Sequence, residues 1–101
     1  MDKGYVDYKR LYHIHKCDAF FVTRAKDNMD YRRLYSHEAD KNKGVIYDQT
    51  IMLNGYYVSE FYPKKMRRIK FRDEETSKIL IFLTNNFHLK ATEIQQLYKH
   101  R

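Results

Sequence analysis

Several residue types are scarce in this chain of 101 residues. It contains no tryptophan, one cysteine, one proline and three glycines. The lone cysteine, Cys17, cannot form an internal disulfide, which fits a reducing compartment and predicts a cytoplasmic protein. No stretch approaches the roughly 18 consecutive apolar residues that a membrane-spanning helix needs, so no membrane partner is expected.

Motifs of complete catalytic sites are also missing. The chain has no Cys-x-x-Cys pair, no His-Glu-x-x-His helix, no glycine-rich phosphate loop and no ordered Ser, His and Asp set. Asp2 precedes a glycine and an aromatic residue at a turn that opens a helix. One carboxylate cannot hold Mg²⁺ tightly, because such sites need several oxygen ligands. A second carboxylate would have to come from elsewhere.

Positively charged residues outnumber negatively charged ones in this chain. Lys and Arg number 20 against 13 Asp and Glu, and the net charge of +7 favours a polyanionic partner such as nucleic acid. Six of the cations lie in residues 64–72. On a strand, Arg68, Lys70 and Arg72 share one face, where they could follow a phosphate backbone. The alternative is an ordinary solvated sheet face.

Helical periodicity marks both ends of the chain. Near the start, an amphipathic helix of about three turns is predicted from the spacing of Tyr5, Tyr8, Leu11 and Tyr12. Residues 89–101 return to the same spacing. After the first helix, the apolar run 19–23 predicts a strand buried on both faces. A helix followed by a buried strand suggests the second half of a βαβ unit, whose first strand would end at Asp2 and run parallel to the second.

The middle of the chain predicts short strands. They are expected at 31–35, at 45–53 and, as a hairpin around 73–76, at 66–72 and 78–83. Asn54-Gly55 is a strong turn signal, so residues 56–58 should form a strand that returns from it. The predicted fold class is α/β for a whole domain and α+β for this chain alone, with a mostly antiparallel insert and a helix at each end.

Several motifs follow one another along the chain. They are Asp2-Lys3-Gly4-Tyr5-Val6-Asp7, Ala19-Phe20-Phe21-Val22-Thr23-Arg24-Ala25-Lys26, Asp48-Gln49-Thr50, Arg67-Arg68-Ile69, Leu83-Thr84-Asn85-Asn86-Phe87 and Gln96-Leu97-Tyr98-Lys99-His100-Arg101. With this ordered series, the chain resembles the catalytic domain of bacterial DDE transposases of the insertion-sequence-4 family. The resemblance implies a partial ribonuclease-H-like core: a core helix and strand (1–26), a β-rich insertion (27–87) and the start of the C-terminal core helix (88–101).

The resemblance also implies roles for individual residues. Asp2 matches the second catalytic aspartate of the family, which ligates metal. Tyr98 and Arg101 match the first two members of the signature Tyr-x₂-Arg-x₃-Glu-x₆-Lys, which is associated with holding DNA phosphates beside the site. The implied reaction is a two-metal, in-line attack of water or a DNA 3′-hydroxyl on a phosphodiester. The signature's glutamate would lie beyond Arg101 and the first aspartate before Met1, so the chain is expected to be a fragment.

These implications define the expected partners. Mg²⁺ or Mn²⁺ belongs to the complete enzyme, and this chain is expected neither to bind it tightly nor to cleave or transfer DNA strands alone. DNA, as transposon ends and target, is the expected partner, and the complete transposase is expected to form an oligomer. Two other hypotheses stay open. The chain could be a stand-alone basic nucleic-acid-binding module without catalysis, or a compact metal-independent ribonuclease of the toxin type. The uncapped helix at the end of the chain argues against both.

Overall fold

The computed structural model describes residues 7–25, 29–55 and 58–99. Its helices and strands are α1 (Tyr8–Lys16), β1 (Val22–Arg24), β2 (Tyr31–His37), a 3₁₀ turn (Lys41–Lys43), β3 (Val45–Leu53), α2 (Val58–Phe61), β4 (Met66–Arg72), β5 (Ile79–Thr84) and α3 (Ala91–Lys99). The strands form an antiparallel sheet in the order β1-β5-β4-β3-β2. This α+β arrangement, with a helix toward each end of the chain, confirms the predicted fold class.

α1 begins where its sequence provides a cap. The Asp7 carboxylate accepts a hydrogen bond from the backbone N–H of Arg10 at 3.2 Å, which satisfies one of the donors that the first turn leaves without a partner. The predicted amphipathic helix is therefore confirmed over Tyr8–Lys16. Its predicted start at Tyr5 lies outside the described residues.

β1 is shorter and less buried than the sequence predicts. It covers Val22–Arg24 and pairs antiparallel with β5 at one edge of the sheet. Phe20, in the middle of the predicted strand, is 61% exposed. The prediction of a strand at 19–23 buried on both faces is therefore wrong at 19–21 and in its burial, whereas Val22 and Thr23 do lie in a strand. Its expected parallel neighbour, ending at Asp2, lies outside the described residues.

A side chain explains why β1 starts late. The Asn85 side-chain oxygen accepts a hydrogen bond from the Phe21 backbone N–H at 2.9 Å, and the Asn85 amide donates to the Ala19 carbonyl at 2.9 Å. These backbone groups need a partner once they leave water, and Asn85 supplies it in place of a neighbouring strand. The first part of the apolar run, residues 19–21, is thus held outside the strand by one buried polar residue.

The hairpin predicted around 73–76 is confirmed. β4 and β5 pair antiparallel, with Ile69 opposite Phe82. In the turn, the Asp73 carboxylate accepts a hydrogen bond from the Glu75 backbone N–H at 3.0 Å, as aspartate commonly does at such positions. β3 also has its predicted bounds. Local alternation and turn chemistry were sufficient for these strands.

The second predicted turn has a different outcome. Asn54-Gly55 follows β3, but Val58 begins α2 and not a returning strand. β3 already pairs with β2 along one edge and with β4 along the other, so it has no edge left for a third strand. The predicted strand at 56–58 is therefore wrong at Val58, and residues 56 and 57 lie outside the described part of the chain.

The sheet separates two apolar layers. Side chains alternate between the two faces of the sheet, so each face has its own layer. α1 and α2 cover one face, here called the α1 face, and α3 covers the other, here called the α3 face. The layer on the α1 face contains Leu11, Phe21, Ile51, Leu53, Tyr62, Met66 and Leu83, and the layer on the α3 face contains Val45, Ile69, Phe71, Phe82 and Ile94. None of the described helices is long and apolar enough to cross a membrane.

Tyr62 brings a polar group into the layer on the α1 face. Its side chain is fully buried, and its hydroxyl has no hydrogen-bond partner within the described part of the chain. Burial, with a smaller contribution from Tyr12, raises the pKa of Tyr62 from 10.0 to about 12. The folded protein therefore keeps this proton in a pH range where the unfolded chain loses it.

The Tyr62 hydroxyl predicts an alkaline loss of stability. Between pH 10 and about pH 12 the folded state binds one more proton than the unfolded state, so the free energy of unfolding should fall by up to about 1.4 kcal/mol per pH unit. Below pH 10 the contribution is fully present. Tyr62→Phe should remove this loss and leave stability at pH 7 unchanged or slightly higher, since no hydrogen bond is lost.

Urea unfolding of both proteins at pH 7 and pH 11 checks this expectation. Circular dichroism is the suitable signal, because the chain contains no tryptophan. The expected result is a smaller drop between the two pH values for Tyr62→Phe than for the unmodified protein. Equal drops would show that the buried hydroxyl does not cause the alkaline loss.

Candidate nucleic-acid interface

Alternate residues of β4 carry the basic side chains that the sequence singles out. Arg68 contacts side chains of the α1 face, and residues two apart on a strand point the same way, so Lys70 and Arg72 lie on that face too. Arg68 is 1% exposed, Lys70 is half-buried and Arg72 is exposed. The three cations share a face, but they become accessible only toward the C-terminal end of β4.

Two tyrosines hold the Arg68 guanidinium. Its Nη1 atom donates a hydrogen bond to the Tyr31 hydroxyl at 2.9 Å and another to the Tyr47 hydroxyl. The guanidinium carbon also lies 4.3 Å from the centre of the Tyr31 ring and 5.6 Å from that of Tyr47. Arginine packs well against aromatic faces because it is planar and weakly hydrated, and the contact fixes its orientation.

Lys70 extends this arrangement. Its Nζ atom lies 5.6 Å from the centre of the Tyr47 ring, so one tyrosine contacts two cations. β3 and β4 pair with Tyr47 directly opposite Lys70, which explains why the two side chains meet. We call Tyr31, Tyr47, Arg68 and Lys70 the basic tyrosine cluster. Sequence reasoning did not single out its tyrosines for this role, because their placement depends on the pairing of three strands.

Two tyrosines near Arg68 have raised pKa values. Burial raises the pKa of the Tyr47 hydroxyl, and the positive charge of Arg68 only partly opposes that shift. Burial likewise raises the pKa of Tyr8, again with Arg68 opposing it. Neutral hydroxyls donate and accept hydrogen bonds without cancelling positive charge. The Tyr47 hydroxyl therefore does not cancel the positive charge of Arg68.

The neighbouring Arg67 points to the opposite face and is fully engaged there. Its Nε and Nη2 atoms donate to the two Asp48 carboxylate oxygens at 2.8 and 2.6 Å. Its Nη1 atom donates to the backbone carbonyls of Asn86 and Leu89 at 3.1 and 2.5 Å. Both charged side chains are buried. Arg67 thus joins β3, β4 and the segment before α3, a structural role that the basic run in the sequence does not reveal.

A comparison with protein families decides what kind of domain carries this surface. A family model described as the transposase DDE domain matches residues 1–101. The chain belongs to the transposase DDE domain family. No curated protein and no solved structure matches it. The match confirms the resemblance to DDE transposases and indicates a function connected with DNA transposition, for which DNA is in general the partner.

The described part of the transposase DDE domain does not bring its expected site residues together. Tyr98 lies on α3, with its ring 4.7 Å from that of Phe82, on the α3 face of the sheet. The basic tyrosine cluster lies on the α1 face. Asp2 and Arg101 lie outside the described residues. The roles expected for Asp2, Tyr98 and Arg101 therefore stay predictions.

The described residues of the transposase DDE domain offer few side chains that could ligate a metal ion. Within residues 7–25, 29–55 and 58–99, no group of three or more His, Cys, Asp or Glu side chains could hold one. Asp48 is buried, but Arg67 occupies both of its oxygens. DDE transposase domains generally use divalent metals. In this chain Asp2 is the expected ligand, and the described residues add no cluster to it.

Two consecutive asparagines of the transposase DDE domain join its terminal helices to β5. Asn85 binds the α1–β1 connection and also contacts His15 Nδ1 through its amide at 3.0 Å. The Asn86 side-chain oxygen accepts hydrogen bonds from the backbone N–H groups of His88 and Leu89 at 2.9 and 3.1 Å, just before α3. This part of the Leu83–Phe87 motif therefore sets how α1 and α3 are placed on opposite faces of the sheet.

Proposed function

We propose that this chain is part of the catalytic domain of a bacterial transposase of the insertion-sequence-4 family, and that it binds DNA through the basic tyrosine cluster and Arg72. The observation that carries the proposal is the transposase DDE domain match over residues 1–101. The net charge of +7 and the cations on the α1 face of β4 support it. The DNA would be transposon ends or target, in the bacterial cytoplasm.

The geometry of the cluster suits a phosphate backbone. Lys70 and Arg72 lie two residues apart on one strand, which separates them by about 6.6 Å along the sheet. Arg68 lies behind them, and its charge adds to the potential at the surface without being fully exposed. Each phosphate neutralised by such cations releases bound counterions, so binding should weaken steeply as salt rises.

We further propose the roles that the family implies for the remaining site residues. Asp2 would ligate Mg²⁺ or Mn²⁺. In the complete transposase, Tyr98, on the α3 face, and Arg101 would hold DNA phosphates beside the metal site, a contact separate from the surface on the α1 face. Residues 1–26 and 88–101 would belong to the ribonuclease-H-like core and residues 27–87 to the insertion. Asp2 is the single motif carboxylate that the family pattern assigns in this chain. The chain alone is therefore expected to bind metal weakly and to lack strand cleavage, while the complete transposase forms an oligomer.

A second candidate is a basic nucleic-acid-binding module without catalysis. One observation favours it: the described residues contain a basic, tyrosine-lined surface. A plasmid-nicking assay in Mg²⁺ addresses catalysis in either case. Nicking that is abolished by Asp2→Ala would contradict the proposal that this chain is inactive alone.

The binding surface is tested by neutralising its accessible cations. Lys70→Gln/Arg72→Gln should weaken binding to a labelled DNA duplex by about 10-fold or more at 0.1 M salt, and should lower the slope of log affinity against log salt by about 2. Fluorescence anisotropy across a KCl series measures both quantities.

The matched control is Lys41→Gln/Lys43→Gln. It removes the same charge from two exposed lysines. They line a cleft of about 710 Å³, and Val45 and Arg67 of the α3 face line the same cleft. A control that weakens binding as much as Lys70→Gln/Arg72→Gln would mean that net charge, and not the basic tyrosine cluster, determines affinity.

A further inference from the structure

α1 carries an unbalanced positive charge on its outer surface. Its nine residues include Lys9, Arg10 and Lys16 but no Asp or Glu. These three side chains are exposed, whereas Leu11 on the opposite side of the helix is buried. An ordinary solvated helix surface usually mixes both signs of charge, which gives stabilising pairs along the helix. Within the described part of the chain, no carboxylate forms an ion pair with Lys9, Arg10 or Lys16.

Aromatic rings hold two of these cations in place. Lys9 Nζ lies 4.8 Å from the centre of the Phe61 ring, and Lys16 Nζ lies 4.9 Å from that of Tyr12. Exposed lysines normally sample many rotamers, and ordering them on a ligand costs entropy. Contact with a ring reduces that cost while the ammonium group stays at the surface.

α1 and the basic tyrosine cluster share one side of the sheet. Tyr8, at the start of the helix, packs against the apolar layer of the α1 face, and so does Tyr31 of the cluster. From Tyr8 to Lys16 the helix rises by about 12 Å, at about 1.5 Å per residue. The cations of β4 and those spread along α1 therefore lie on the same side of the sheet.

We propose that Lys9, Arg10 and Lys16 form a second phosphate-contacting strip, which extends the DNA footprint of the basic tyrosine cluster along α1. The inference rests on the proposed DNA-binding function and adds the length and direction of the bound segment. An anionic membrane surface is the other polyanion that could attract such a helix. Membrane binding would require an exposed apolar side, whereas the apolar side of α1 packs in the core.

The test compares two triple variants that lose the same charge. Lys9→Gln/Arg10→Gln/Lys16→Gln removes the α1 strip, and Lys41→Gln/Lys43→Gln/Lys90→Gln removes three exposed lysines around the cleft beside the α3 face. With a labelled DNA duplex at 0.1 M KCl, the α1 variant should bind about 10-fold more weakly or worse, with a salt slope lower by 2 to 3, roughly one per lost contact. The control should change affinity less than about 3-fold. Circular dichroism checks that both variants keep their helices.

Each outcome has a separate meaning. An α1 variant that binds like the control, while Lys70→Gln/Arg72→Gln still weakens binding, would overturn the strip and leave the proposed function standing. An unmodified chain that does not bind DNA in low salt would overturn the proposed function and the strip together. Binding to phosphatidylserine vesicles but not to DNA, lost in the α1 variant, would overturn the strip in favour of a membrane contact.

Discussion

Replacing Arg67 with methionine is expected to lower the free energy of unfolding by about 3 to 5 kcal/mol. The substitution leaves the Asp48 carboxylate buried without its cation. It removes the two hydrogen bonds to that carboxylate and one hydrogen bond to each of the Asn86 and Leu89 carbonyls. Domains of this size have only about 5 to 15 kcal/mol of stability, so the variant should be partly or largely unfolded at 37 °C. Urea unfolding followed by circular dichroism measures the change.

Two control variants separate charge from packing in this pair. Arg67→Lys keeps the positive charge but cannot make the paired hydrogen bonds, so its cost should be intermediate. Asp48→Leu/Arg67→Met removes both charges and should cost less than Arg67→Met alone, since no charge is left buried. A cost below about 1 kcal/mol for Arg67→Met would mean that the pair does not hold β3, β4 and the segment before α3 together.

Truncating Phe82 to alanine is the second large expected effect, at about 3 to 5 kcal/mol. Its side chain is fully buried on the α3 face, with its ring 5.7 Å from that of Phe71 and 4.7 Å from that of Tyr98. The cavity would lie directly beneath α3, where Ile94 is also buried. We therefore expect α3 to lose helical structure before the sheet unfolds, which hydrogen exchange of its backbone amides would report.

Phe87→Ala is the matched control for this truncation. Phe87 is the same residue type five positions away, but it is 42% exposed, so its loss should change stability by no more than about 0.5 kcal/mol. Phe82→Leu, which keeps most of the buried volume, should cost less than Phe82→Ala. Equal costs for Phe82→Ala and Phe87→Ala would contradict the view that Phe82 anchors α3.

Sequence reasoning succeeded where the deciding interactions are local. The bounds of β3, and the β4–β5 hairpin with its acidic turn, follow from alternation and turn residues close in sequence. The failures have distant causes. The strand expected at 19–23 is shortened by Asn85, and the strand expected after Gly55 has no free edge because β3 already has two neighbours.

The candidate site shows the same division. Alternation placed Arg68, Lys70 and Arg72 on one face, but it could not show that Tyr31 and Tyr47 enclose Arg68. Nor could it show that Asp48 pairs with the neighbouring Arg67 in the interior. Those outcomes depend on the register of three strands. The roles of Asp2, Tyr98 and Arg101 came from the family resemblance, and they stay predictions.

We propose that DNA binds along the α1 face of the sheet. Lysine acetylation with mass spectrometry, with and without a DNA duplex, tests it directly, because reactive lysines lie beside both faces. We expect DNA to protect Lys70, Lys9 and Lys16, while the lysines around the cleft beside the α3 face, Lys41, Lys43 and Lys90, stay as reactive as in the free protein. Protection of Lys41, Lys43 and Lys90 with unchanged reactivity at Lys70 would place the DNA on the α3 face and contradict the proposed surface.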